Sequence, residues 1–153
     1  MSKSQFLKEQ LVPAIAAISP EFKPLWGKMN LQQMTEHMSR EGFQVASGKL
    51  PQTLVTQEEH IPKMQAFMMS DKPFKENTPN SLMSLEPVSV KHADMQAALV
   101  ELQTEIDDFF QVYEKEPEKS IMNPFFGNLN FEMQVQLLHK HALHHLKQFG
   151  VEI

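Results

Sequence analysis

Apolar residues recur along this chain at helical intervals almost from end to end, and no stretch keeps up the strict alternation of a half-buried strand. His92, Met95, Leu99, Leu102, Ile106, Phe109 and Tyr113 step alternately by three and four, which predicts one long helix over about 90–113. A shorter version runs through Leu31, Met34, Met38 and Val45, with Gly42 where a neighbouring helix is expected to come close. The last helix shows it as Phe131, Val135, Leu138, Ala142, Leu146 and Phe149. A first helix reads over about 4–18 through Leu7, Leu11 and Ile15, and Pro13 is predicted to kink or split it. A minor helix over about 58–69 begins near Pro62, and Pro73, Pro79 and Pro87 predict an ordered, irregular connection over 70–87. The sum is an all-α chain, a four-helix bundle with one additional short helix in a single domain over 1–153.

One internal echo adds to this pattern. Pro24-Leu25-Trp26-Gly27-Lys28-Met29-Asn30-Leu31 and Pro124-Phe125-Phe126-Gly127-Asn128-Leu129-Asn130-Phe131 match as Pro, apolar, aromatic, Gly, polar, apolar, Asn, apolar. Each ends in an asparagine suited to cap the next helix, with Met29 or Leu129 placed as a hydrophobic staple. Two copies are too few for a repeat architecture. They predict that two bundle helices start the same way.

Composition narrows the function classes. With 41% apolar and 22% charged residues the chain reads as an ordinary soluble globular protein, whose default compartment is the cytosol. No apolar run reaches a membrane span, and the N-terminus lacks the basic-then-apolar layout of a signal peptide. The absence of cysteine excludes disulfides, thiolate ligands and a cysteine nucleophile, so any thiol chemistry needs a thiol from outside. A net charge of −5, with no basic cluster, argues against nucleic acid as a partner.

The candidate chemistry lies in the histidines, of which four fall within 139–145. At ~100° per residue, His141 and His145 stand about 40° apart on the border of the apolar stripe, so both can face one point in the core. His139 and His144 diverge from them and are expected to face solvent, or for His139 an interface. The echo supplies a third donor. His37 follows Asn30 by seven positions and His141 follows Asn130 by eleven, which puts both within ~20° of their caps around the helix. Three neutral imidazoles with an open fourth position make the ligand pattern of a catalytic metal site, with zinc, nickel, iron or manganese as the ion. The alternative is a polar helix face with no metal role. Glu41, one turn after His37, and Gln148, three after His145, are weaker catalytic candidates. Glu41 would accept a proton or orient an imidazole; Gln148 would bind substrate or a metal-bound water; either could instead be a hydrogen bond at the bundle end. Trp26 and Phe126 are expected to pack in the core or rim an apolar pocket, His60 to lie on the surface, and His92 to be structural.

Trp26-Gly27-Lys28-Met29-Asn30-Leu31-Gln32-Gln33-Met34-Thr35-Glu36-His37 resembles the second-helix signature of the DinB/YfiT-like metalloenzymes. Asn123-Pro124-Phe125-Phe126-Gly127, with His141-Ala142-Leu143-His144-His145-Leu146-Lys147-Gln148-Phe149-Gly150, resembles the closing signature of an uncharacterised branch of that superfamily. The resemblance implies a four-helix bundle whose three-histidine metal site falls on His37, His141 and His145, in a protein that pairs as a homodimer. It also implies thiol-dependent transfer or isomerisation, with the metal activating a low-molecular-weight thiol cosubstrate against a small electrophile. Metal-hydroxide hydrolysis is the runner-up within the enzyme class. A non-catalytic bundle that binds a small ligand or metal is the rival outside it.

Overall fold

The computed structural model describes residues 1–76 and 87–153, so most of the irregular connection predicted over 70–87, from 77 to 86, lies outside the described residues. Ser2 accepts the amide N–H of Gln5 on its hydroxyl and opens α1, Lys3–Glu9. The helix stops and resumes as α2, Leu11–Ala16. Pro13 accounts for the break: it has no N–H for the carbonyl of Glu9, and its ring crowds that carbonyl. Phe6, Leu7, Leu11 and Ile15 stay buried on both sides of the split.

The second run opens at Asn30 with a complete capping box. Asn30 Oδ1 accepts the Gln33 amide at 2.8 Å, and Gln33 Oε1 accepts the Asn30 amide at 2.9 Å. From there α3 spans Leu31–His37, the backbone widens into a π-helix over Met38–Gln44, and α4 closes the run at Val45–Ser47. A 3₁₀ turn, Glu58–His60, leads into α5, Ile61–Met69, with Pro62 in the first turn where a missing N–H costs nothing.

The long helix α6 spans Met95–Lys115 and starts later than its seam predicts. Asp94 accepts the Ala97 amide at 2.9 Å and fixes the start, so His92 lies before the helix, its Nε2 3.2 Å from Glu101. From Leu102 onward the seam holds, with Ile106, Phe109 and Tyr113 all buried. A hairpin follows that the pattern did not predict. β1, Ile121–Asn123, pairs antiparallel with β2, Gly127–Leu129, setting Ile121 opposite Leu129 and Asn123 opposite Gly127. Strands this short leave no window in which alternation can be read. Asn130 then accepts the Met133 amide at 3.0 Å and opens α7, Phe131–Gln148.

α7 packs against α1 and α5, while α6 packs against α3 and the π-helix. Their apolar faces share one core through Leu31, Met34, Phe43, Ile106, Phe109 and Leu138, each worth about 1.5–3 kcal/mol of transfer free energy when fully buried. A smaller cluster of Met68, Phe126 and Leu129 joins α5 to the hairpin. The described residues form a mostly helical chain, and none of their helices is long and apolar enough to cross a membrane.

Candidate metal centre

The two similarly capped helices bring their histidines together. His37, at the end of α3, and His141 and His145, one turn apart on α7, turn their Nε2 atoms inward. His141 Nε2 lies 3.0 Å from His37 Nε2 and 2.9 Å from His145 Nε2. These three ligand nitrogens form a group that could hold one metal ion. A tetrahedral ion with metal–nitrogen distances of about 2.0–2.1 Å sets its donors roughly 3.3 Å apart, so an outward shift of a few tenths of an ångström fits one.

The far side of two rings fixes which nitrogen faces the meeting point. Gln148 Nε2 donates to the Trp26 carbonyl at 2.9 Å, which turns Gln148 Oε1 to His145 Nδ1 at 2.8 Å. A carboxamide oxygen can only accept, so His145 carries its hydrogen on Nδ1 and its lone pair on Nε2. Glu41 stands behind His37. Its Oε2 lies 3.3 Å from His37 Nδ1, close enough to face that nitrogen but without the alignment of a formed hydrogen bond, and neither buried atom has another partner. Arg40 Nε donates to the other oxygen of Glu41 at 2.8 Å. Burial pushes the Glu41 carboxyl up, but the adjacent His37 ring and the Arg40 guanidinium outweigh it and leave the group below its usual range. With its hydrogen on Nδ1, His145 turns a lone pair toward His141 Nε2, and His37 turns its own Nε2 to the same atom.

Burial, reinforced by the charge the neighbouring rings would carry, holds His141 and His145 well below the usual histidine value. His141 keeps some exposure as a residue, yet its Nε2 sits inside the cluster, so burial dominates. Neutral rings are what a metal needs as ligands.

Glu41 and Gln148 thus lie behind the ligand rings, on the nitrogens that point away from the centre. Gln148 is buried and spans His145 and the Trp26 backbone. The expectation that His144 faces solvent fails. Its ring is half-buried between Trp26, at 5.3 Å, and Phe74, at 5.9 Å, and lies 5.0 Å from His145. Phe74 comes from the irregular segment after α5, which helical periodicity cannot place. His139 sits at the α1–α7 contact, edge-on to Phe6 at 5.3 Å. His60 is exposed. The part played by Arg40 and by the Trp26 carbonyl had no sequence signal, since a residue type says nothing of its backbone oxygen.

No family model, no curated protein and no solved structure matches this chain.

Proposed function

We propose that the protein is a metal-dependent enzyme built on a DinB/YfiT-like four-helix bundle, its four rods being the helical runs over 3–16, 31–47, 95–115 and 131–148. One observation carries the reading: His141 Nε2 lies 2.9–3.0 Å from the Nε2 atoms of His145 and His37, while His145 Nδ1 is taken by the Gln148 carboxamide oxygen and His37 Nδ1 faces the Glu41 carboxylate at 3.3 Å. A polar surface decoration needs no such backing, whereas a ligand set does. His37, His141 and His145 would hold the ion. Bound there, a divalent zinc, nickel, iron or manganese ion supplies a Lewis acid that lowers the pKa of a water or thiol in the open position. Glu41 and Gln148 hold their rings in the ligating tautomer, and burial of His37 and His145 excludes bulk water. His141 is the most exposed of the three.

The sharper form of the proposal is transfer of a low-molecular-weight thiol to a small electrophile, a chemistry compatible with a chain that has no cysteine of its own. Metal content tests the foundation. Untagged protein reconstituted with zinc or nickel is expected to hold about one ion per chain, and His37→Ala to lose it. Wild-type protein with no ion above background after reconstitution overturns the proposal. Thiol consumption in the presence of an electrophile, abolished by a chelator, then separates transfer from hydrolysis.

A further inference from the structure

The echo continues beyond the sequence. Trp26 and Phe126 each precede a glycine of positive φ, +76° at Gly27 and +82° at Gly127. Each offers its carbonyl to a glutamine side chain: Trp26 O accepts Gln148 Nε2 at 2.9 Å, and Phe126 O accepts Gln65 Nε2 at 2.8 Å. A Cβ on Gly27 would meet Gln148 Nε2 at 3.0 Å, whereas one on Gly127 would meet Ile61 Cγ2 first, at 3.3 Å, and Gln65 Nε2 at 3.6 Å. The two turns share the glycine and the glutamine clasp, though Gly127 also enters the hairpin opposite Asn123. Only one clasp goes further, because Gln148 Oε1 also takes the Nδ1 hydrogen of His145.

The same turn is held a second time, by the Leu25 amide on the Gln148 carbonyl at 2.8 Å. Gln148 therefore meets the turn with both its side chain and its backbone, and the candidate ligand with the remaining atom of its amide. Gly27 must lack a side chain at that point. A Cβ at 3.0 Å would make the Gln148 amide give by a few tenths of an ångström, loosening its bonds to the Trp26 carbonyl and His145, and the left-handed backbone there already disfavours one.

We propose that the Leu25–Gly27 turn is a working part of the metal centre: through Gln148 it positions His145, and occupation of the centre in turn orders the turn. The proposal rests on the metal reading above. Coupling of this kind is reciprocal, so what the turn contributes to metal affinity, bound metal returns to the turn. Gly27 is on this view a positioning residue and Gly127 its structural counterpart without the function. Trp26, the single tryptophan of the chain, reports the state of the turn.

The test adds Zn(II) to metal-free protein and follows three readouts together: ion uptake by chelator competition, Trp26 emission, and hydrogen exchange at the Leu25 amide. In wild-type protein the emission is expected to shift and the Leu25 amide to slow, both saturating with uptake. Gly27→Ala should weaken Zn(II) binding about 10–100-fold, the size of effect typical for loss of a ligand's supporting hydrogen bond. Gly127→Ala, which places the same methyl on the sister turn, should leave affinity within about twofold. Gln148→Glu covers the case in which Gly27→Ala fails to fold. Its carboxylate still accepts from His145 but has no hydrogen for the Trp26 carbonyl, so Zn(II) uptake should remain measurable at lowered affinity while Trp26 and Leu25 stop responding. Uptake without any response at Trp26 and Leu25 overturns the coupling and leaves the metal reading standing. Equal loss of affinity in the two glycine variants overturns it also, since the turn is then only structural. No uptake by wild-type protein removes the metal reading and this inference together.

Discussion

At Gly42 a Cβ would stand 3.6 Å from His141 Nδ1, 3.8 Å from Leu138 Cδ2 and 3.9 Å from Met38 Cε, all ordinary contact distances. The glycine was expected to mark a close helix approach, and it does face α7, but with room for one methyl. Gly42→Ala is therefore expected to stabilise the protein by about 0.5–1 kcal/mol through the lower entropy of the unfolded chain. Denaturant unfolding would show the gain as a higher midpoint. Gly42→Leu should instead drive its branch into the His141 ring, lowering both stability and metal uptake. Contrast Gly27, where the missing side chain answers to both a positive φ and a contact at 3.0 Å. Sequence shows both positions as Gly and cannot separate the two causes, because one depends on a backbone angle and the other on a partner a hundred-odd positions away.

Helix α5 ends without a cap of its own beyond Ser70, whose hydroxyl donates to the Phe67 carbonyl at 2.6 Å. The remaining carbonyls are taken from α7. Gln136 Nε2 donates to Met68 and Ser70, and Lys140 Nζ to Phe67, Ser70 and Lys72, with the ammonium 4.6 Å from the centre of the Phe67 ring. Burial lowers the Lys140 pKa, yet the carbonyls give the charge its partners. Lys140→Met keeps the length of the stem and removes those bonds. It should cost about 1–3 kcal/mol and open the segment after α5 to limited proteolysis. Helical periodicity found α6 and α7 because each buries a long stripe, and the two asparagine caps located their partners. It missed the π-helix over Met38–Gln44, since the apolar positions of a π turn and an α turn overlap within so short a run. It missed the hairpin because six paired residues carry too little alternation.

Across the whole molecule, two buried or half-buried carboxylates tie the chain after residue 87 to the helices. Glu36 accepts the backbone amides of Lys91, at 2.6 Å, and His92, at 3.2 Å, while Glu101 meets Lys91 Nζ at 2.7 Å and His92 Nε2 at 3.2 Å. Burial alone would raise the Glu101 pKa; the bonds to Lys91 and His92 outweigh it and hold the carboxyl below its usual value. Its unfolded form then binds protons first as pH falls, so this contribution to stability is present above about pH 4.5 and lost below it, through the lower folded pKa. Glu101→Gln should flatten the acid limb of the stability curve of metal-free protein, measured by denaturant midpoints across that range. An unchanged slope would remove Glu101 from the balance. What sequence made legible at this scale was the meeting of His37 with His141 and His145, because similar cap-to-histidine phases, within about 20° of each cap, put them on facing sides. The sandwich of His144 between Trp26 and Phe74 was not legible, since both rings come from irregular backbone.

The meeting of His37 and His141 also has a topological side. They touch across 104 positions of a chain that has no cysteine. An ion held by both would close a loop as long as those closed by disulfides that bridge distant parts of a protein. For a permanent link across about a hundred residues, the chain-entropy estimate is roughly 4–5 kcal/mol at 25 °C. A metal is a link that a chelator can cut, so this fold would carry a staple between its early and late helices that survives a reducing environment and yields to chelation.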